Sequence, residues 1–464
     1  MSALYAAFCA AAVSVLKEVN KHVTEPYMDE PFHVPQAQAY CAGNFSYWDP
    51  KITTPPGLYI ISVILKRFFL VKCSLATLRL TPLLALLILP LALTRLLSYQ
   101  RRVRPPPLLS PSAAAVVLAA HPLVFFYGFL YYTDVPSLLA VVTTIVLAQE
   151  ERHWLAALVG AISCTFRQTN IVWVLYAFAA SQVAYLRYRR EGVRLYDPPL
   201  RKASFGDIPW SAFSLASILP DILSTYIPYA LVLAGFAGFL VWNGGIVLGD
   251  KSNHTPALHI PQLYYLIACA TAFCWPALLR IVSRPLSLPA QVWRKMFGGK
   301  LRAACTVSLC AVVGVTIGRY TIHHPFLLAD NRHYTFYLWR RVILVHPAVK
   351  YLLAPVYVAA GWAWWIAVGA SFDNSLLQAL LIPLAAAPTL LPAPLLEPRY
   401  FVVPVVLMRA LLEGEPDTPR VSPLGFRLPS NAALALEFAW YAAINAVTLY
   451  VFVYCPRDEV RFMW

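Results

Sequence analysis

The sequence predicts an all-α, polytopic membrane protein, a bundle of roughly 12–14 transmembrane helices. Three observations carry that prediction. First, 59% of the residues are hydrophobic, and mean hydropathy is +0.60. Second, only 13% are charged, where a soluble domain carries roughly a quarter. Third, apolar runs approaching the roughly 20 residues needed to cross a bilayer recur along the chain, separated by short polar loops.

The runs fall at roughly 3–20, 76–98, 113–131, 135–150, 154–166, 170–186, 222–247, 260–282, 303–321, 343–369, 375–393, 398–412 and 432–455. The first begins at Ala3 with no small-residue cleavage site after it, so it reads as a retained signal-anchor helix. Ile60 to Val71 is apolar but interrupted by Lys66 and Arg67; it fits a short span or a segment lying at the interface. The 38 prolines suit loop ends and broken helices, whose freed backbone groups are satisfied inside a bundle. The 9 cysteines form no CxxC pair. Cys9, Cys164, Cys269, Cys274, Cys305 and Cys310 lie in apolar segments and read as buried free thiols. No internal repeat is evident, and the whole chain, 1–464, reads as one membrane-embedded domain.

Lys and Arg outnumber Asp and Glu by 37 to 22, a net charge of +15. In a soluble protein that excess would point to nucleic acid. Here the basic residues gather in the loops 99–107, 187–207 and 283–302, so the positive-inside rule places those loops in the cytosol, and no nucleic-acid partner is expected. The longer 187–221 stretch is then a cytosolic loop. The loops 21–56, 131–134, 166–170, 249–259, 323–342 and 394–399 share the opposite side. Two glycosylation sequons, Asn44-Phe45-Ser46 and Asn253-His254-Thr255, fall on that side too. The cytosolic loops carry no phosphate-binding Gly motif, whereas nearly every unusual polar cluster sorts to the luminal face.

Ionisable groups at a membrane edge are functional candidates by default. Tyr27-Met28-Asp29-Glu30-Pro31-Phe32-His33 and Trp48-Asp49-Pro50-Lys51 lie in the first luminal loop. A short helix from Pro35 to Gly43 is expected, with Phe32, Val34, Ala37 and Tyr40 on the membrane surface. A partly desolvated Asp29 there suits a general base; the alternative is a solvated acidic pair capping the helix. Asp134 fits a helix cap. Arg167-Gln168-Thr169-Asn170 interrupts an apolar stretch, as a cavity-facing turn or through an Arg167–Asp134 pair. Asp250, Lys251, Asn253, His254, His259 and Gln262 form a further polar island. No HExxH or DxD spacing occurs, so no metal is expected. In the 323–342 loop, Asp330, Arg332, His333 and Tyr334 combine cations with an aromatic, a set suited to a sugar phosphate. Tyr337, Trp339, Arg340 and Arg341 fit an interfacial belt instead. Glu397 and Arg399 fit either a site or an internal salt bridge.

These residues carry a resemblance. The Tyr27–His33 and Trp48–Gly57 stretches, Arg167-Gln168-Thr169-Asn170-Ile171, the 249–254 and 328–337 runs, Glu397-Pro398-Arg399-Tyr400-Phe401 and Arg461-Phe462-Met463-Trp464 are similar to the dolichyl-phosphate-glucose α-1,2-glucosyltransferases of the endoplasmic reticulum. Pro31 departs from the other members. The resemblance implies a C-type glycosyltransferase fold with a luminal active site in the endoplasmic reticulum membrane. It implies dolichyl-phosphate-glucose as donor and a diglucosylated dolichol-pyrophosphate oligosaccharide as acceptor, which gains its third glucose in α-1,2 linkage.

A β-linked donor and α-linked product mean inversion in one displacement, needing one base and a stabilised leaving phosphate. Asp29 is then the expected base, because C-type enzymes carry an acidic residue in this loop, with Glu30 as rival. Glu30, His33, Trp48 and Asp49 would orient the acceptor. Arg332 and His333 would hold the donor phosphate with Lys51 and Arg399 in reserve, and Asp330 and Tyr334 would complete that side. Asp134, Arg167, Gln168, Asp250, His254 and Glu397 would be polar cavity support. Dolichyl phosphate leaves readily, so neither cofactor nor divalent metal is expected. The alternatives are another luminal dolichyl-phosphate-sugar transferase, or a transporter or flippase for lipid-linked sugars.

Overall fold

The computed structural model describes residues 3–188, 195–251, 255–281, 287–371, 374–413, 430–457 and 460–464. The sequon residue Asn253 and the expected support residue His254 lie outside them, as does part of the basic loops at 187–207 and 283–302. The described residues are built of helices, with isolated β-bridges and no strand.

Among the described residues, seven helices are long and apolar enough to cross a membrane: Ala3–His22, Leu75–Arg101, Ile222–Asn243, Pro261–Leu279, Lys300–Tyr320, Val349–Ala370 and Asn431–Tyr454. Asp134–Gln149, His153–Cys164 and Leu376–Leu390 are shorter and apolar. The chain is therefore a multi-pass membrane protein.

Prolines and caps explain where the helices stop. The 113–131 run breaks into Ala113–Ala119 and Pro122–Tyr127. Pro122 cannot donate a backbone hydrogen bond and drives His121 out of the helical region. The carbonyl of Ala120 at this break accepts from the Asn445 amide at 2.8 Å, the internal repair that a break inside an apolar bundle requires. Ser112 caps one helix, and Ser375 with Gln378 forms a capping box on another. Helix also reaches into sequence expected to be loop: Asp207–Asn243 begins well inside 187–221, and Ser287–Phe297 occupies the basic 283–302 stretch. The 323–342 loop folds into the short turns Pro325–Ala329 and Tyr334–Leu338.

The chain forms two compact units. One comprises Met1–Leu195, Ser214–Thr255 and Asn445–Pro456; the other comprises Tyr196–Phe213, Pro256–Ile444 and Arg457–Trp464.

In the first unit, the loop after the first helix is largely helical. Its helix runs Glu30–Cys41, starting five residues before the expected Pro35. Pro31 sits in its first turn, where a missing N–H is harmless. Its apolar face does not rest on the membrane surface as expected. Val34, Ala37 and Tyr40 pack with Ile52, Leu58, Tyr59, Leu78 and Tyr131, and Phe32 lies against that cluster. The following helix, Gly57–Phe69, covers this face.

A disulfide joins Cys41 to Cys73, which sequence reading missed. It ties together the residues on either side of Gly57–Phe69, so that helix leaves and returns on one side and is not a span. Its 13 residues would reach only about 20 Å. Phe68, Phe69 and Leu70 are exposed at its end, beside Lys66 and Arg67. Cys9, Cys164, Cys269, Cys274, Cys305 and Cys310 are free thiols, but of these six only Cys274 is buried; Cys305 is exposed and the other four are half-buried.

In the second unit, a buried ion cluster ties Val402–Leu411 to Ser430–Tyr454. Arg409 donates to both carboxylate oxygens of Glu437, at 2.6 and 2.8 Å, and to Glu413 at 2.9 Å. All three side chains are buried. A guanidinium between two carboxylates is how a buried charge is tolerated, and removing one partner from such a set is costly.

Candidate active site

In the first unit the polar groups of the 23–57 loop are held from several directions. Glu30 is wholly buried. Arg79 grips both of its oxygens, Nε at 2.8 Å and Nη2 at 2.5 Å, while the backbone amides of Tyr131 and Tyr27 donate at 2.7 and 3.0 Å. Arg79, also wholly buried, donates further to Asn20 and to the carbonyl of Val23. Glu30 was expected to orient the acceptor or rival Asp29 as base. Its four donors fasten the loop to the bundle.

Asp29, next to it, is half-buried, and its side chain does not cap the helix it precedes. Its amide donates to the Tyr132 hydroxyl at 3.0 Å. Met28, just before it, has φ +59°. A left-handed backbone at a non-glycine residue costs energy, and such strain concentrates at functional sites.

His33 Nδ1 lies 2.5 Å from the Tyr59 hydroxyl. The buried Gln36 bridges the far side of the loop, donating to the Tyr47 carbonyl at 2.7 Å and accepting from the Asp49 amide at 2.8 Å. The Asp49 carboxylate accepts from the Lys51 amide at 2.9 Å, and Lys51 Nζ sits 4.9 Å above the Phe32 ring.

Two further segments brace residues 50–57. Gln168 donates to the Thr53 carbonyl at 2.6 Å, and the Gly57 amide donates to the Thr165 carbonyl at 3.0 Å. Gly249, at φ +63°, packs so closely that an added Cβ would lie 2.3 Å from the Pro50 carbonyl oxygen; glycine is required there. Asp250 is exposed, and its amide donates to the same carbonyl at 2.7 Å. Arg167 pairs with the buried Asp134 at 2.7 Å, one of the two arrangements expected, but Asp134 does not cap the helix Asp134–Gln149: it is the first helical residue and Thr133 takes the cap position. Below this loop lies an apolar cavity of about 920 Å³, lined by Trp48, Gln168, Trp154, Phe236 and Trp242 among others.

The second unit holds the other expected residues. Asp330, Arg332, His333 and Glu397 line a cavity of about 530 Å³. Arg332 binds Asp330 through Nε at 2.8 Å and Nη2 at 2.6 Å. Burial alone would raise the Asp330 pKa, but the hydrogen bonds from Arg332 outweigh it and hold the carboxyl below its ordinary value. Arg399 pairs with Glu397. The Tyr334 hydroxyl is buried.

One expectation is corrected here. Trp339 is not part of an interfacial belt. It is wholly buried, with Nε1 donating to His323 Nδ1 at 3.2 Å. Of the polar island at 249–262, His259 and Gln262 are buried in the second unit, where Gln262 donates to the carbonyls of Ala393 and Leu395. Among the described residues, no three His, Cys, Asp or Glu side chains converge in a metal-binding cluster.

Sequence reading missed Arg79, Gln36 and Arg409. A signal existed for two of them, since a lone arginine inside an apolar run implies a buried partner.

Fold and sites together define a multi-pass membrane protein with paired charges held in loops at the ends of its helices. A family model described as the DIE2/ALG10 family matches residues 23–410. The chain belongs to this family. Curated relatives in Mus musculus (34% identical, 98% of this chain and 97% of the relative), Homo sapiens (33%, 98% and 97%) and Yarrowia lipolytica (32%, 98% and 96%) are each named Dol-P-Glc:Glc(2)Man(9)GlcNAc(2)-PP-Dol alpha-1,2-glucosyltransferase. Among solved structures, the oligosaccharyltransferase of Archaeoglobus fulgidus aligns over 89% of this chain and 56% of its own, at 14% identity and TM-score 0.25. No shared fold follows from a score that low.

Proposed function

We propose that the chain is an inverting glucosyltransferase. It moves glucose from a dolichyl-phosphate donor to the diglucosylated, dolichol-pyrophosphate-linked oligosaccharide and forms an α-1,2 bond. The observation that carries this reading is the nearly end-to-end likeness to relatives whose name specifies that donor, acceptor and linkage.

Asp29 accepts the proton of the acceptor 2-hydroxyl as that oxygen attacks the anomeric carbon, and the C–O bond to dolichyl phosphate breaks with inversion. Its half-exposed position after a strained Met28 supports the role. Glu30 and Arg79 keep it in place. His33, Trp48 and Asp49 orient the acceptor. Arg332 and His333 offset charge on the departing phosphate, with Lys51 and Arg399 as further cations and Tyr334 beside the sugar. Asp330 aligns Arg332 by the bidentate pair, and Glu397 does the same for Arg399. Asp134, Arg167, Gln168 and Asp250 support the loop that carries Asp29. The apolar cavity beneath Trp48 suits an isoprenoid chain. Because dolichyl phosphate is a good leaving group, the displacement needs no divalent metal.

We place the loop in the lumen of the endoplasmic reticulum. The Cys41–Cys73 disulfide calls for an oxidising compartment, and Asn44 of the first sequon is exposed. The test is transfer by purified protein from dolichyl-phosphate-glucose to the diglucosylated acceptor, with and without chelator. A one-hexose gain insensitive to chelator is expected. No gain by folded protein would sink the reading, and loss with chelator would overturn the metal-free step.

A further inference from the structure

The sequence Arg461-Phe462-Met463-Trp464 has no part in the chemistry above, yet it is built into the 330–334 turn. The Met463 amide donates to the Arg332 carbonyl at 2.9 Å, and the Tyr334 amide donates to the Met463 carbonyl at 3.0 Å. His333 and Met463 thus form a parallel bridge across 130 residues of sequence. The backbone is fixed on both sides of His333.

The His333 side chain is fixed as well. Its Nδ1 lies 2.7 Å from the backbone oxygen of Trp464. That oxygen can only accept, so Nδ1 bears a proton whether the ring is neutral or charged. Nε2 is left toward the Asp330 carboxylate, at 3.9 Å. The Trp464 indole meets the Tyr334 ring edge-on at 5.3 Å and the Phe273 ring at 5.6 Å. Trp464 and Val460 themselves line the cavity that holds Asp330, Arg332, His333 and Glu397.

We infer that the 460–464 segment is a positioning element of the donor headgroup pocket. Trp464 forms one wall, and Met463 and Trp464 together set the orientation of Arg332 and the ring of His333 toward a sugar phosphate. This rests on the reading of the 330–333 turn as the donor-phosphate site. A segment that only stabilised the unit would leave substrate affinities unchanged in folded variants. A positioning element would affect the donor alone.

The experiment compares wild type with Trp464→Ala, Trp464→Phe and Met463→Pro in the full-length protein. It measures KM for dolichyl-phosphate-glucose, KM for the diglucosylated acceptor, kcat, and product inhibition by dolichyl phosphate. For Trp464→Ala and Met463→Pro, the donor KM and the dolichyl phosphate inhibition constant are expected to rise about tenfold, with acceptor KM unchanged. Trp464→Phe should recover most of the loss, because an aromatic wall remains. Where Trp464→Ala does not fold, Trp464→Leu keeps the apolar volume and carries the same comparison. Unchanged donor KM in an active variant, or an equal rise in both KM values, overturns the inference. An inactive but folded wild type instead overturns the transferase reading beneath it.

Discussion

Two regions, the 23–57 loop of the first unit and the 330–399 pocket of the second, handle charge in opposite ways. In the first, Glu30 finds its cation 49 residues away in Arg79, both are wholly buried, and four donors converge on one carboxylate. In the second, Arg332 pairs with Asp330 and Arg399 with Glu397, each two residues off and only partly buried. A buried pair between distant segments is a fastening, because separating it strands a charge in a low dielectric. A local, half-exposed pair is weak, and an incoming phosphate can compete for its guanidinium at small cost. The difference separates charges that build the loop from charges that are suited to meet a ligand.

Asp29 gives the comparison its sharpest test, since it adjoins the fastening and is itself half-buried. Asp29→Asn is expected to lower kcat by about 10²–10⁴-fold, the usual range for a lost general base, with the thermal midpoint unchanged. Equal loss of stability would make Asp29 another structural carboxylate.

Arg79→Ala should do the reverse and cost about 3–5 kcal/mol of stability, seen as loss of monodisperse protein in detergent. A Glu30→Gln, Arg79→Met double variant should recover part of it. If Arg79→Ala folds normally, the fastening is not one.

Cys41→Ser opens a bridge with a sequence separation of 32 residues. It should cost about 3 kcal/mol, read as a lower thermal midpoint that matches that of the wild type under reductant.

The smallest effect is expected at Asp330. Its carboxyl is held below the ordinary value, so its contribution is present above the unfolded pKa, about 4, and is lost as pH falls through the lower folded value. Asp330→Asn should remove that acid dependence. At this partly exposed pair the change is at most about 1 kcal/mol, measured as thermal midpoint between pH 3 and 6. A larger effect would move Asp330 into the class of Glu30.

Much of this was legible in the sequence. Periodicity and apolar length exposed the helices, and the Arg167–Asp134 and Glu397–Arg399 pairs were readable because their charges stand out in apolar surroundings. The different surroundings of Asp29 and Glu30 were not, because two adjacent carboxylates look alike until their partners are known. Arg79 and Tyr131, which hold Glu30, lie some 50 and 100 residues on. The helix Glu30–Cys41 was misplaced for a related reason. Pro35 reads as a helix start, yet Pro31 already supplies one, and tertiary packing of Val34, Ala37 and Tyr40 carries the helix through Pro35. The Cys41–Cys73 bond was hidden because neither cysteine sits in a spacing motif.

That bond also imposes an order on biosynthesis. Cys41 emerges from the ribosome first and must wait for the Gly57–Phe69 helix and Cys73 to be delivered to the same side. Until then the loop bearing Asp29 is a loose thiol-bearing segment, and Arg79, six residues beyond Cys73, has not docked against Glu30. A chain whose Gly57–Phe69 helix was wrongly threaded through the bilayer would leave the two sulfurs on opposite sides. The unpaired thiol would then report a topological error before the later helices had been made.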